Sequence, residues 1–154
     1  MAARIRHQVM DDVDTGFYAK GLRFECTGCG DCCRARHGKP SWVYVTIDER
    51  RRLAQHLKLS TSTFTRRYCE KTHGFFHLRN PSADCVFLDG ARCTVYAARP
   101  GQCRTFPFWR ENMSKQAWDG PVKRECEGID RGRVWSVAEI EVRLEDERKR
   151  DSQI

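Results

Sequence analysis

Apolar residues along this chain come in short bursts separated by polar stretches, and each burst predicts a small element. Trp42-Val43-Tyr44-Val45 reads as a short strand. Thr46 and Glu49 then have capping-box spacing, which predicts a helix from Ile47 to Lys58 carrying Leu53 and Leu57. Ser60 suits the cap of a second helix through Phe64 and Tyr68, so that Leu53, Leu57, Phe64 and Tyr68 share an apolar face. Cys69 falls at the end of that helix and is read as core packing. Gly74 to Leu78 predicts another strand, and Cys85 to Leu88 with Arg92 to Tyr96 predicts a β-hairpin about Asp89-Gly90.

The remaining segments are less regular. Ala97 to Trp109 is aromatic and interrupted by Pro107, which predicts an irregular lid. Ser136 and Glu139 form a second capping box, for a C-terminal helix through Leu144 with Glu139 pairing to Arg143, and Lys149 to Ile154 should fray. Residues 1–22 are polar and mixed in charge, with Val13, Phe17 and Tyr18 as their apolar content, and read as a surface arm. The fold class is therefore α+β: a small irregular, metal-stabilised domain with short strands, a β-hairpin and three or so helices. Its expected organisation is an N-terminal arm over 1–21, a cysteine-cluster metal-binding domain over 22–130, and a C-terminal helix with its tail over 131–154.

Composition explains why metal enters the picture. A chain of 154 residues can bury about 68–70% of its unfolded surface. Its 40% apolar and 32% charged content nevertheless predicts a modest core. Nine cysteines approach the density of a disulfide scaffold. The N-terminal residues, however, run from Met1 to Asp11-Asp12 without an apolar signal segment, no stretch is long enough to span a membrane, and the cysteine count is odd. A cytoplasmic, non-membrane protein using cysteine for metal is the expectation. The formal charge of +7 suggests an anionic partner, but eight thiolates on two zinc ions would bring it to about +3. Much of the basic excess can serve to neutralise such a centre.

Cys26, Cys29 and Cys32 recur every third residue among turn formers, so three sulfurs can fold around one point, and the run opens like a ferredoxin motif before continuing directly to Cys33. Adjacent Cys32 and Cys33 do not easily face one ion from the same loop, which leaves Cys33 to a second metal, a bridging position or a spare thiol. Cys85 and Cys93 sit at the two arms of the predicted hairpin, and Cys103 and Cys126 lie at turns. Together these eight form the candidate ligand set, enough for two tetrahedral zinc ions or two cubane clusters. Thiolate ligation does not separate the two, so the cofactor is read as an iron–sulfur cluster or zinc.

Other residues add little chemistry. His7, His37, His56, His73 and His77 form no ligand pair, with His37 assigned to solvent or an outer shell. Arg34, Arg99 and Arg104 flank cysteines and can neutralise an anionic cluster or serve as plain surface residues. No phosphate-binding loop, dinucleotide fingerprint, His-Glu-x-x-His motif or catalytic triad is visible, so catalytic residues are unknown.

The ordered pieces Cys26-Thr27-Gly28-Cys29-Gly30-Asp31-Cys32-Cys33, Cys85-Val86-Phe87-Leu88, Cys93-Thr94-Val95-Tyr96, Arg99-Pro100, Cys103-Arg104-Thr105-Phe106-Pro107-Phe108 and Cys126-Glu127-Gly128 resemble the YkgJ-like CxxCxxCC cysteine-cluster family over about residues 22–130. That resemblance implies zinc or iron chelation at the matching cysteines. Val86 and Glu127 stand where proline is frequent after the family's cysteines. Cys69 lies outside the pattern.

The first functional expectation is a metal-binding protein whose centre folds the domain or moves electrons. The alternative is an iron–sulfur enzyme component acting on protein, as an oxidoreductase or methylase-like part, since flagellin lysine methylases carry a related cluster domain. A zinc-dependent nucleic-acid-binding module, suggested by charge and by Trp42, Tyr44, Phe106 and Trp109, ranks last. A protein partner is left open.

Overall fold

The computed structural model describes residues 13–35 and 40–154. The fold is α+β, with short antiparallel strands in two-stranded sheets among helices. The chain forms two compact units, one of residues 13–27 with 107–145, the other of the described residues of 28–106 with 146–154.

The first unit is organised by β1 (Leu22–Phe24), which pairs antiparallel with β6 (Ile129–Trp135). The register slips between Arg23 and Phe24, so that Phe24 faces Ile129. The four extra residues, 130–133, lie on β6, so the irregularity bends β6, while β1 runs on directly toward the cysteine loop. The core beneath contains Tyr18, Phe24, Phe108, Met113, Trp118, Ile129, Ile140 and Leu144, all nearly inaccessible. Burial of each of the larger side chains is worth about 1.5–3 kcal/mol. Two expectations change at this core. Tyr18, expected in a surface arm, belongs to it, its hydroxyl donating to Glu141 at 2.6 Å and Val13 and Phe17 packing partly beside it, while residues 14–16, 19 and 20 stay exposed. Phe108 stacks on Trp118 and packs against Trp135, so the aromatic stretch ends in the interior and is not a lid. Proline stops a helix at that point, and apolarity then decides where the chain goes.

In the second unit, α1 (Ile47–His56) starts at the expected capping box, with Thr46 Oγ1 accepting from the Glu49 N–H and Glu49 from the Thr46 N–H. Ser60 caps α2 (Thr61–Tyr68) as expected. Leu53 and Phe64 are fully buried, with Leu57 and Tyr68 packed on the same cluster. Cys69 does not end the helix. It opens β2 (Cys69–Thr72), which pairs with β3 (Phe75–Leu78) through a two-residue turn at His73 and Gly74. Both turn residues have positive φ, the condition of a type I′ hairpin, and Asn- or Asp-free sequences hide that signal. The segment at Trp42–Val45 lies extended against β3, joined by Val45 N–H to Phe76 O and Leu78 N–H to Val43 O, with one bridge at Tyr44.

The hairpin of β4 (Leu88–Asp89) and β5 (Arg92–Cys93) is present but short, and its loop is Gly90-Ala91 rather than Asp89-Gly90. Gly90 takes the left-handed φ, as the first loop position of a tight hairpin demands. A short helix, α3 (Gly101–Thr105), carries Cys103.

The C-terminal helix α4 (Val137–Asp151) continues seven residues past Leu144. Its expected frayed end is anchored. Arg150 is 9% exposed at its side chain, donates from Nε to Glu49 Oε1 at 2.8 Å, and reaches Tyr44 O through Nη2. Glu139 pairs with Arg133 at 2.9 Å instead of Arg143, which lies over the Trp135 ring. Among the described residues no helix is long and apolar enough to cross a membrane.

Candidate metal centre

The cysteine loop is shaped by two glycines with left-handed φ, Gly28 and Gly30, before a single 3₁₀ turn over Asp31–Cys33. Gly30 has a second reason to be glycine: a Cβ there would sit 2.8 Å from Ala91 O in the β4–β5 loop. That close approach lets the hairpin clasp the cysteine turn. The Cys85 N–H donates to Cys33 O at 2.7 Å, Arg34 Nη2 to Gly90 O at 2.8 Å, and the Ala35 N–H to Asp84 Oδ1 at 2.8 Å.

The result is a sulfur group. Cys33 is close enough to Cys32, Cys85 and Cys93 for their hydrogen bonding to raise its thiol pKa. The acidities reflect that arrangement. Hydrogen bonding to Cys33 lowers the Cys32 thiol to about 7 against the opposing effect of burial. The same bond lowers Cys93 to about 6, with the Arg99 and His56 charges helping. Cys85 is lowered for the same first reason, while Cys33 itself is held well above the ordinary thiol range by the three bonds. Cys103 is pushed up to about 12 by burial, and the neighbouring charges of Cys85, Cys32 and Cys93 raise it further.

Cys32, Cys85 and Cys93, whose thiol pKa values are lowered, form with Cys33 a soft donor set of the kind zinc and iron–sulfur centres take. The chemistry of the set therefore fits such a group. Among the described residues no three His, Cys, Asp or Glu side chains stand in finished metal-ligating geometry. Metal ligation would take the protons off these thiols.

The other expected ligands divide. Cys29 is in the same loop, half-buried, and outside this sulfur network. Cys26 is exposed in the first unit, next to the Cys126 loop. On one side of Cys26 the Glu25 N–H donates to Gly128 O at 3.2 Å, and on the other Thr27 Oγ1 donates to Glu127 Oε1 at 2.6 Å. Gly128 is required there, because a Cβ would come 2.1 Å from Glu25 O. Sequence reasoning missed this clasp, although a glycine two residues after Cys126 was its signal.

Cys69 is buried at 4% exposure, and burial pushes its thiol up to about 11, so its reading as core packing holds. His77 is buried too: its Nδ1 must donate to the Leu78 carbonyl, leaving Nε2 to accept from Thr72 Oγ1, and both nitrogens are satisfied. His37 lies outside the described residues. Arg34 serves the clasp, and Arg99 stacks on Tyr96 while its charge reaches Cys93.

Comparison with known proteins agrees with the residue pattern. A family profile, CxxCxxCC, described as "Putative zinc- or iron-chelating domain", matches residues 25–127. The chain belongs to the CxxCxxCC family. It is a metal-binding protein by that membership, and zinc or an iron–sulfur cluster is the cofactor that fits. No solved structure matches the chain.

Proposed function

We propose that the chain holds an iron–sulfur or zinc centre on its cysteine thiolates, and that this centre serves a structural or redox role. The observation that carries the reading is the clasp of the cysteine loop by the hairpin segment, with the Cys85 N–H on Cys33 O at 2.7 Å and Arg34 Nη2 on Gly90 O at 2.8 Å, which brings Cys32 and Cys33 beside Cys85 and Cys93. Cys32, Cys33, Cys85 and Cys93 are the first ligands of that centre. Cys103 is adjacent to them in charge, Cys29 shares their loop, and Cys26 with Cys126 supplies a further pair.

When bound, zinc would supply folding free energy, about 10–16 kcal/mol for a structural site in small zinc peptides, and an iron–sulfur cluster would add electron transfer. The chain's own residues do the rest. Gly30 allows the loop to lie against the hairpin, Arg34 ties the two together, and Arg99 offsets negative charge beside Cys93. Modest cores in both units leave room for such a contribution.

The test is removal of metal by chelation under anaerobic conditions, followed by thermal unfolding. Loss of the cooperative transition supports a structural role. A protein that stays folded and cooperative when fully stripped overturns it, and a reversible visible-absorption change on reduction of the loaded protein would assign the redox role instead.

A further inference from the structure

Beside α3, the helix that carries Cys103, an open cavity of about 250 Å³ lies between α1, α3 and the end of α4. On its wall the cations Arg52, Arg104, Lys149 and Arg150 outnumber the acids Asp48, Glu49 and Asp146. Glu49 is already committed. Burial works to raise its pKa, but the Arg150 charge and the Thr46 and Gly101 N–H groups outweigh that and hold it lowered. Asp48 pairs with Arg51 at 2.9 Å.

Arg52 is the informative residue. Its Nε and Nη2 atoms are shielded from water and hydrogen-bond to nothing in the protein. Those two nitrogens form one edge of the guanidinium, the side-on fork that takes two oxygens of a phosphate or carboxylate in parallel. A buried charged donor without an acceptor is costly, and two on one edge point to an acceptor with paired oxygens. Asp146 lies on the same wall.

We propose that this cavity binds a phosphate group, as free phosphate or on a small phosphorylated molecule, with the Arg52 fork as its main contact after a rotation of that side chain. A doubly charged tetrahedral anion matches the cationic excess of the wall better than a carboxylate does. The volume falls just below the roughly 300–1,000 Å³ of drug-sized ligand pockets, which sets an upper bound on the molecule carrying the phosphate. No cysteine lines the cavity, although Arg104 and Thr105 follow Cys103 on α3.

Calorimetric titration of the metal-loaded full chain at constant ionic strength tests this, with inorganic phosphate, phosphoserine and acetate as probes. Phosphate should bind, acetate should bind more weakly, and R52Q should weaken phosphate about tenfold or more. D146N should tighten it, because one negative charge leaves the wall. Phosphoserine binding more tightly than inorganic phosphate assigns a phosphorylated molecule as the source, and equal binding assigns free phosphate. No binding by millimolar phosphate, an unchanged affinity in R52Q, no gain in D146N, or acetate binding as well as phosphate would each overturn the proposal.

Discussion

Replacing Arg150 by alanine tests whether the end of α4 is a structural part of the second unit. The side chains of Arg150 and Glu49 are 9% and 7% exposed, and their contact is 2.8 Å. Removing one member of a buried pair costs about 3–5 kcal/mol, because the other charge is left without its partner. Glu49 would keep two backbone donors, Thr46 N–H at 2.8 Å and Gly101 N–H at 2.7 Å, so the lower end, about 3 kcal/mol, is expected. The double variant E49A/R150A should cost less than the sum of the single ones, by roughly 1–3 kcal/mol of coupling. Urea unfolding of the metal-loaded protein, followed by circular dichroism, gives these values directly. The pH dependence has a definite sign. The folded-state pKa of Glu49 is lowered, so its contribution is fully present above the unfolded value of about 4.3 and is lost as pH falls through the folded value. The gap between wild type and R150A should therefore close in acid. A cost below about 1 kcal/mol with unchanged denaturant slope would refute the anchoring of this helix end.

Other substitutions probe the remaining contacts. Gly128→Ala should destabilise the first unit, since the added Cβ would meet Glu25 O at 2.1 Å, and thermal unfolding should show a lower midpoint. Thr46→Ala removes one arm of the capping box and should cost about 1 kcal/mol in urea unfolding. Cys33→Ser should lower metal content sharply, whereas Cys69→Ser should leave it unchanged and cost about 1–3 kcal/mol by burying a hydroxyl without a partner, both read by elemental analysis and denaturation.

Much of the fold was legible where local chemistry decides it. The capping residues Thr46, Ser60 and Ser136 mark helix starts because their oxygens satisfy the first amides, and each does so here. The hairpin was legible from its glycine, though not the position of the turn. The hidden part depends on residues distant in sequence. Arg150 looks like tail charge until Glu49, 101 positions away, is placed beside it. Tyr18 looks like arm content until β1 and β6 form a floor for it. For the site, the eight cysteines were visible as a set, but their grouping was not. Adjacency said only that Cys32 and Cys33 need not face one ion, and the tie of Cys33 O to the Cys85 N–H at 2.7 Å, 52 positions along the chain, had no local signal.

The central claim is that these thiolates hold metal, and iron, zinc and inorganic sulfide analysis with an absorption spectrum on protein purified without oxygen tests it most directly. The expected result is stoichiometric bound metal that falls in C32S, C33S, C85S and C93S and persists in C69S. Protein that is well folded yet carries neither iron nor zinc, or whose metal is unaffected by those four substitutions, would contradict it.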